Sequence, residues 1–160
     1  MKKLTLSLFF FVLLFVSQNS VFSQESFTHP DAKVTVVVQG GWFYEINGTS
    51  LTMYPQSKEM SVGFNIIDAA DMESAVQKAK QEIMSNFPNA NLTGPTQHDV
   101  NGITVFEISG DSPDRMEFSY SLLITPSAKV MEVGYASQKD AVNKFKSDVT
   151  TIITGIKPAN

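Results

Sequence analysis

Between Ile103 and Ala136 the chain reads ITVFEISG, MEFSYSLLIT and VMEVGYA, three runs in which side chains alternate in polarity, separated by DSPDR and PSAK. A period of two sends successive side chains to opposite faces of a strand, and the separators are turn formers, so this stretch can fold only as an antiparallel meander. Centring the first turn on Pro113 sets Phe106 opposite Tyr120 and Ile108 opposite Phe118. Centring the second between Ser127 and Ala128 sets Ile124 opposite Met131, Leu122 opposite Val133 and Tyr120 opposite Tyr135. Together these registers collect Phe106, Ile108, Met116, Phe118, Tyr120, Leu122, Ile124, Met131, Val133 and Tyr135 on one core-facing side. The other side carries Glu107, Ser119, Ser121, Glu132, Gly134 and Ala136, with a smaller apolar end at Ile103, Val105 and Leu123, and is expected to be wet or partly covered.

Further strands are predicted at Val34 to Val38, Phe43 to Ile46, Ser50 to Tyr54, Met60 to Ile67 and Thr96 to Val100. Asn47-Gly48 and Asn101-Gly102 suit the left-handed backbone of two-residue hairpins. Two stretches switch to a period of 3.6. Met72, Val76, Ala79, Ile83 and Phe87 share one stripe, between a capping Asp71 and a terminating Pro88. Ala141, Phe145, Val149, Ile152 and Ile156 share another, closed by Gly155 and Pro158. Amphipathic helices need a sheet to lie on, so the expected class is α+β, an antiparallel sheet of about six to seven strands flanked by α-helices.

The first residues read as an address. Lys2 and Lys3 precede an apolar run from Leu4 to Val16, and polarity returns at Ser17. As a helix this run rises only about 20 Å, short of the roughly 30 Å hydrocarbon core that a stable span crosses. A signal peptide over residues 1–23 is expected, cut after Ser23 or, alternatively, after Gln24, with residues 24–160 forming one domain and no membrane span left after cleavage. With no linker, charge run or internal repeat, nothing divides that domain further.

The 160 residues include 12 Lys plus Arg, 16 Asp plus Glu and no cysteine. A net negative chain without clustered basic residues has no electrostatic means of gripping nucleic acid. The missing cysteines exclude disulfides, thiolate metal sites, a cysteine nucleophile and an acylated N-terminal cysteine, so the exported form is not expected to be a lipoprotein. A domain of this size stands without disulfide staples, and the expected location is secreted or periplasmic on a bacterial export route.

Candidate chemical groups are few. His98 adjoins Asp99, but neighbours in a strand point to opposite faces and do not form a dyad unaided. His29 lies in a lead-in where the backbone is expected to be mobile. Asp111 and Asp114 flank Pro113 in a turn that lacks the pattern of a calcium loop, and two distant histidines cannot build a metal site, so neither metal nor cofactor is expected. Glu107 and Glu132 share a polar sheet side, but two carboxylates alone do not make a glycosidase cleft. No serine sits in a Gly-x-Ser-x-Gly elbow, and Gly40-Gly41 leads into aromatics instead of a phosphate-cradling helix. Trp42, Phe43 and Tyr44 form the densest aromatic cluster. Three consecutive rings in a strand cannot all face one interior, so at least one is expected near the surface.

The order of these features resembles the PsbP-like superfamily, which includes the photosystem II extrinsic P subunit, a Ran-binding nuclear import factor and bacterial DcrB-like proteins. The resemblance rests on Gly41-Trp42, LTMYP at Leu51 to Pro55, ESAV at Glu73 to Val76, NGITVFEISG at Asn101 to Gly110, AKVMEVGYAS at Ala128 to Ser137 and GIKP at Gly155 to Pro158. It implies an α/β/α sandwich and a binding or accessory role, and it transfers no ligand and no site residue. The expected function is an exported, soluble, non-catalytic binding or accessory module for an unknown protein or small-molecule partner. The expected partner surface is Trp42, Phe43 and Tyr44, or Ser119 and Ser121. The alternative is a small hydrolase using His98 with Asp99 or Glu107.

Overall fold

A computed structural model describes residues 25–159, so the leader expected over residues 1–23 lies outside the described residues. A seven-stranded antiparallel sheet is assembled from β3 (Trp42–Asn47), β4 (Ser50–Pro55), β5 (Val62–Ile67), β6 (Asn91–Val100), β7 (Ile103–Asp111), β8 (Met116–Ile124) and β9 (Val130–Gln138). Its spatial order is β3-β4-β5-β9-β8-β7-β6. Helices α1 (Met72–Asn86) and α2 (Lys139–Thr154) pack on opposite faces. A small sheet joins β1 (Ser26–His29), β2 (Val34–Val37) and β10 (Lys157–Pro158), with β2 in the middle.

The local signals act as expected. Asp71 caps α1 by accepting the Ser74 N–H at 2.8 Å, while Ser74 Oγ accepts the Asp71 N–H at 3.2 Å. Asn101 and Gly102 both take positive φ between Val100 and Ile103, which face each other across a two-residue turn. The other hairpin turns one residue later than expected, at Gly48-Thr49, because Asn47 pairs with Ser50 and only Gly48 adopts positive φ.

The meander departs from the expected register in two ways. Strand β8 slides by two residues along β7, so that Phe106 meets Leu122 and Ile108 meets Tyr120, which leaves every side chain on its expected face. Strand β9 slides by one, with Tyr120 opposite Gly134 and Leu123 opposite Met131. The cause is the turn. Thr125 N–H bonds Lys129 O at 2.9 Å and Ala128 takes positive φ, so three residues, Pro126 to Ala128, make the loop where two were expected. An odd loop inverts the parity of the following strand, and a one-residue slip carries each side chain through the sheet.

Met131, Val133 and Tyr135 therefore leave the expected core side, and Glu132 enters it. Both faces carry a packed layer. Under α1, Val76, Ala79 and Ile83 pack on Ile108, Phe118, Tyr120 and Leu122. On the opposite face, Val149, Ile152 and Ile156 join Val34 and Val36 of the small sheet above Leu51, Met53, Phe64, Val105, Leu123, Met131 and Val133. Fully burying a side chain of this type contributes roughly 1.5–3 kcal/mol. These two layers hold the sheet between them.

The lead-in expected to be mobile is β1, paired with β2 over four residues. His29 within it is 1% exposed.

Candidate functional site

The α2 side of the sheet is apolar from β3 to β9, and on β7 and β8 only at the end that carries Ile103, Val105 and Leu123. Farther along, the inversion of β9 aligns polar residues from four strands. Thr93, Ser109, Ser119 and Tyr135 form one cross-strand row, and Asn91, Asp111, Glu117 and Ser137 form the next. Above them lies an open hollow of about 520 Å³, lined in part by Asn91, Glu107, Asp111, Glu117, Ser119 and Tyr135.

Its groups are ordered by mutual hydrogen bonds. Ser119 Oγ donates to Glu107 Oε1 at 3.0 Å, and Asn91 Nδ2 donates to Asp111 Oδ1 at 3.2 Å. The Tyr135 phenol is pushed up to about 12, first by burial and then by the charges of Glu117 and Glu107. It stays protonated at neutral pH and can donate. No lysine or arginine lines the hollow, so its three carboxylates face no positive charge from their own walls. Such a surface receives hydrogen-bond donors and cations.

The expected site residues fall in different places. Ser119 lines this hollow, whereas Ser121, two residues along on the same face and opposite Glu107 and Val133, is only 2% exposed. Trp42 is buried, its Nε1 donating to Asp148 Oδ2 at 3.0 Å and its ring meeting Phe145 edge-on at 5.9 Å. With Gly40, Gly41 and Pro55 these side chains border a second hollow of about 490 Å³. Phe43 projects from the other face of β3, half-exposed, and stacks on Tyr54 at 6.2 Å. Tyr44 is half-buried, and its hydroxyl donates to Glu25 Oε1 at 3.0 Å, a bond that raises its phenol above the ordinary value. Strand alternation thus divides the aromatic cluster between two faces.

His98 and Asp99 are also separated by the sheet. His98 is exposed, opposite Val105, and Asp99 accepts the Gly102 N–H at 2.9 Å as part of the turn. Glu107 is on the same side as His98 but is bonded to Ser119. The hydroxyl of Ser119 therefore faces a carboxylate and not an imidazole. Among the described residues, no three His, Asp or Glu side chains converge closely enough to hold a metal ion.

Sequence reasoning missed three participants. Tyr135 and Glu117 join the hollow only because β9 is inverted and β8 is slid. His29 is a buried latch, its Nδ1 accepting the Ala32 N–H at 3.1 Å, which leaves Nε2 to carry the proton and donate to Thr49 O at 2.6 Å. The histidine spacing itself gives no hint of this, because its partners come from the β1–β2 turn and the β3–β4 hairpin.

No family model and no curated protein matches the chain. Solved structures do. The solution structure of cyanobacterial PsbP (CyanoP) from Synechocystis sp. PCC 6803 aligns over 87% of this chain and 94% of its own, with a TM-score of 0.59 and 10% identity. The chain has the PsbP-like fold. The crystal structure of LpqN, involved in cell envelope biogenesis of Mycobacterium tuberculosis, aligns over 86% of this chain and 91% of its own, with a TM-score of 0.52 and 13% identity. In the PsbP-like sheet of this chain the polar hollow occupies the β6-to-β9 end. Among the described residues no helix is long and apolar enough to cross a membrane.

Proposed function

We propose that this protein is an exported, non-catalytic binding or accessory module, secreted or periplasmic after cleavage behind Ser23, with residues 24–160 as its working domain. The hollow of β6 to β9 is its recognition site, and the partner is a protein that presents basic side chains to it. One observation supports this above the rest: Glu107, Asp111 and Glu117 are gathered around an open volume with no cation of their own. Opposite charge on the partner supplies what the walls lack, and complementary charge governs encounter rate and specificity. Of the two pairs in the hydrolase alternative, His98 and Asp99 are on opposite faces, whereas His98 and Glu107 share a face with the Glu107 carboxylate engaged by Ser119, so the binding reading is the better supported.

The test is affinity capture from native extract with residues 24–160 as bait, run beside the double variant Asp111→Lys, Glu117→Lys. Both positions lie at the rim, where charge reversal leaves the core untouched. Partners held by the unmodified domain should elute at moderate salt and be missing from the variant. Identical sets of bound proteins on the two baits would refute the site.

A further inference from the structure

A sheet of seven strands has two edges, and here they differ. At one edge, β6 carries Pro95, which has no N–H, and its pairing with β7 shifts between Thr93 and Thr96. Proline and an irregular ladder are the devices by which natural edges resist pairing with other chains. At the other edge, β3 pairs with β4 without interruption from Trp42 to Asn47 and contains no proline, lysine or arginine. Among the described residues, no strand pairs with that edge.

Its free groups follow from ladder parity. Asn47 and Ser50 flank a two-residue turn and so exchange hydrogen bonds with each other; the alternation then assigns Glu45 and Phe43 to β4. Tyr44 and Ile46 direct N–H and C=O away from the sheet. Trp42 obeys the same parity, and its outward N–H is taken by Gln39 O at 3.0 Å. Large apolar side chains flank this free row on both faces, Phe43 at 50% and Ile46 at 51% exposed.

We infer that β3 is a docking edge for an extended peptide segment of a partner protein, which adds as an eighth, antiparallel strand bonded to Tyr44 and Ile46. Charge selects the occupant. Glu45 projects beside Phe43, and Glu25 reaches the Tyr44 hydroxyl, with no basic residue in β3. A second copy paired through Tyr44 and Ile46 would set Glu45 against Glu45 of its mate, a destabilising like-charge pair. A heterologous strand with lysine or arginine opposite Glu45 and aliphatic residues beside Phe43 and Ile46 fits instead. This deepens the reading of the chain as a binding module, and it can fail separately, because variants of the β6-to-β9 hollow leave β3 intact.

The probe is the capped hexapeptide Thr-Val-Lys-Thr-Val-Thr, titrated into residues 24–160 at low salt and followed residue by residue in amide NMR spectra. Shifts should concentrate at Trp42 to Asn47, and the Tyr44 and Ile46 amides should gain protection from exchange. Ile46→Pro deletes an outward N–H without touching the β4 ladder and should weaken the probe at least tenfold. Ile46→Lys, which keeps the N–H but replaces the apolar contact with the probe's first valine by a charge, covers the case in which the proline variant fails to fold. Glu45→Lys should reverse the preference toward the same peptide with glutamate in place of lysine. Shifts confined to the β6-to-β9 hollow, unchanged binding by the Ile46 variants, absence of binding, or self-association of the domain through β3 would each overturn the proposal.

Discussion

Gly134 of β9 is directly opposite Tyr120 of β8, and the tyrosine ring lies across it so closely that a Cβ at position 134 would stand 2.9 Å from Tyr120 Cδ1 and 3.0 Å from Ser119 O. The glycine is there for close approach, since its backbone needs no left-handed φ. Gly134→Ala should therefore destabilise the fold by about 1–3 kcal/mol through overpacking. Urea unfolding measures this as a lower midpoint at unchanged slope.

Glu132 gives the fold a pH dependence. It is buried on the α1 side between Leu122 and Asn65, and burial, followed by the nearby charge of Glu82, pushes its carboxyl up to about 7. The folded state then holds a proton that the unfolded chain has released, so stability falls as pH rises from about 4.5 to 7 and the penalty persists above that range. One pKa unit corresponds to about 1.4 kcal/mol, which bounds the loss at roughly 3 kcal/mol. Glu132→Gln should flatten the difference between unfolding curves at pH 5 and pH 8.5. Equal pH dependence in the variant and the parent would contradict this origin.

The His29 latch ties β1 to two turns. His29→Ala leaves the Ala32 N–H and the Thr49 carbonyl without their partner, at about 2–3 kcal/mol for unsatisfied groups and lost packing. Hydrogen exchange should show faster opening at Ala32 while the helices keep their protection. Uniform acceleration across the chain would mean that β1 is part of the global unfolding unit.

Trp42 is the single tryptophan, and its fluorescence reports the packing of β3 against α2. Asp148→Ala should cost about 1–2 kcal/mol for the lost charge-assisted bond and redden the emission as water reaches the indole. Trp42→Ala should cost about 3–5 kcal/mol, so weakened binding in that variant would reflect the fold first. Phe43→Ala is the cleaner probe of the surface, with a stability change within about 0.5 kcal/mol. A large loss of stability in Phe43→Ala would show that its stacking on Tyr54 is structural.

Among the described residues, both helices and eight of the ten strands could be read from the chain because their signals are local. Asp71 with Ser74 caps a helix wherever it packs, Asn101-Gly102 turns a hairpin by its own backbone preference, and period-two alternation marks a strand without reference to its neighbours. The two missed strands are short and are held by distant partners: β1 and β10 both depend on β2.

Which face each residue occupies was a different kind of question. PSAK is compatible with loops of two or three residues, and the choice was made by burial on both sides of the sheet, where Met131 and Val133 join one core and Val130 the other. That parity sent Glu132 beneath α1 and brought Tyr135 beside Glu107 and Glu117. Local preference is a property of a few consecutive residues, whereas the hollow and the free edge exist only once strands far apart in the chain have found their register.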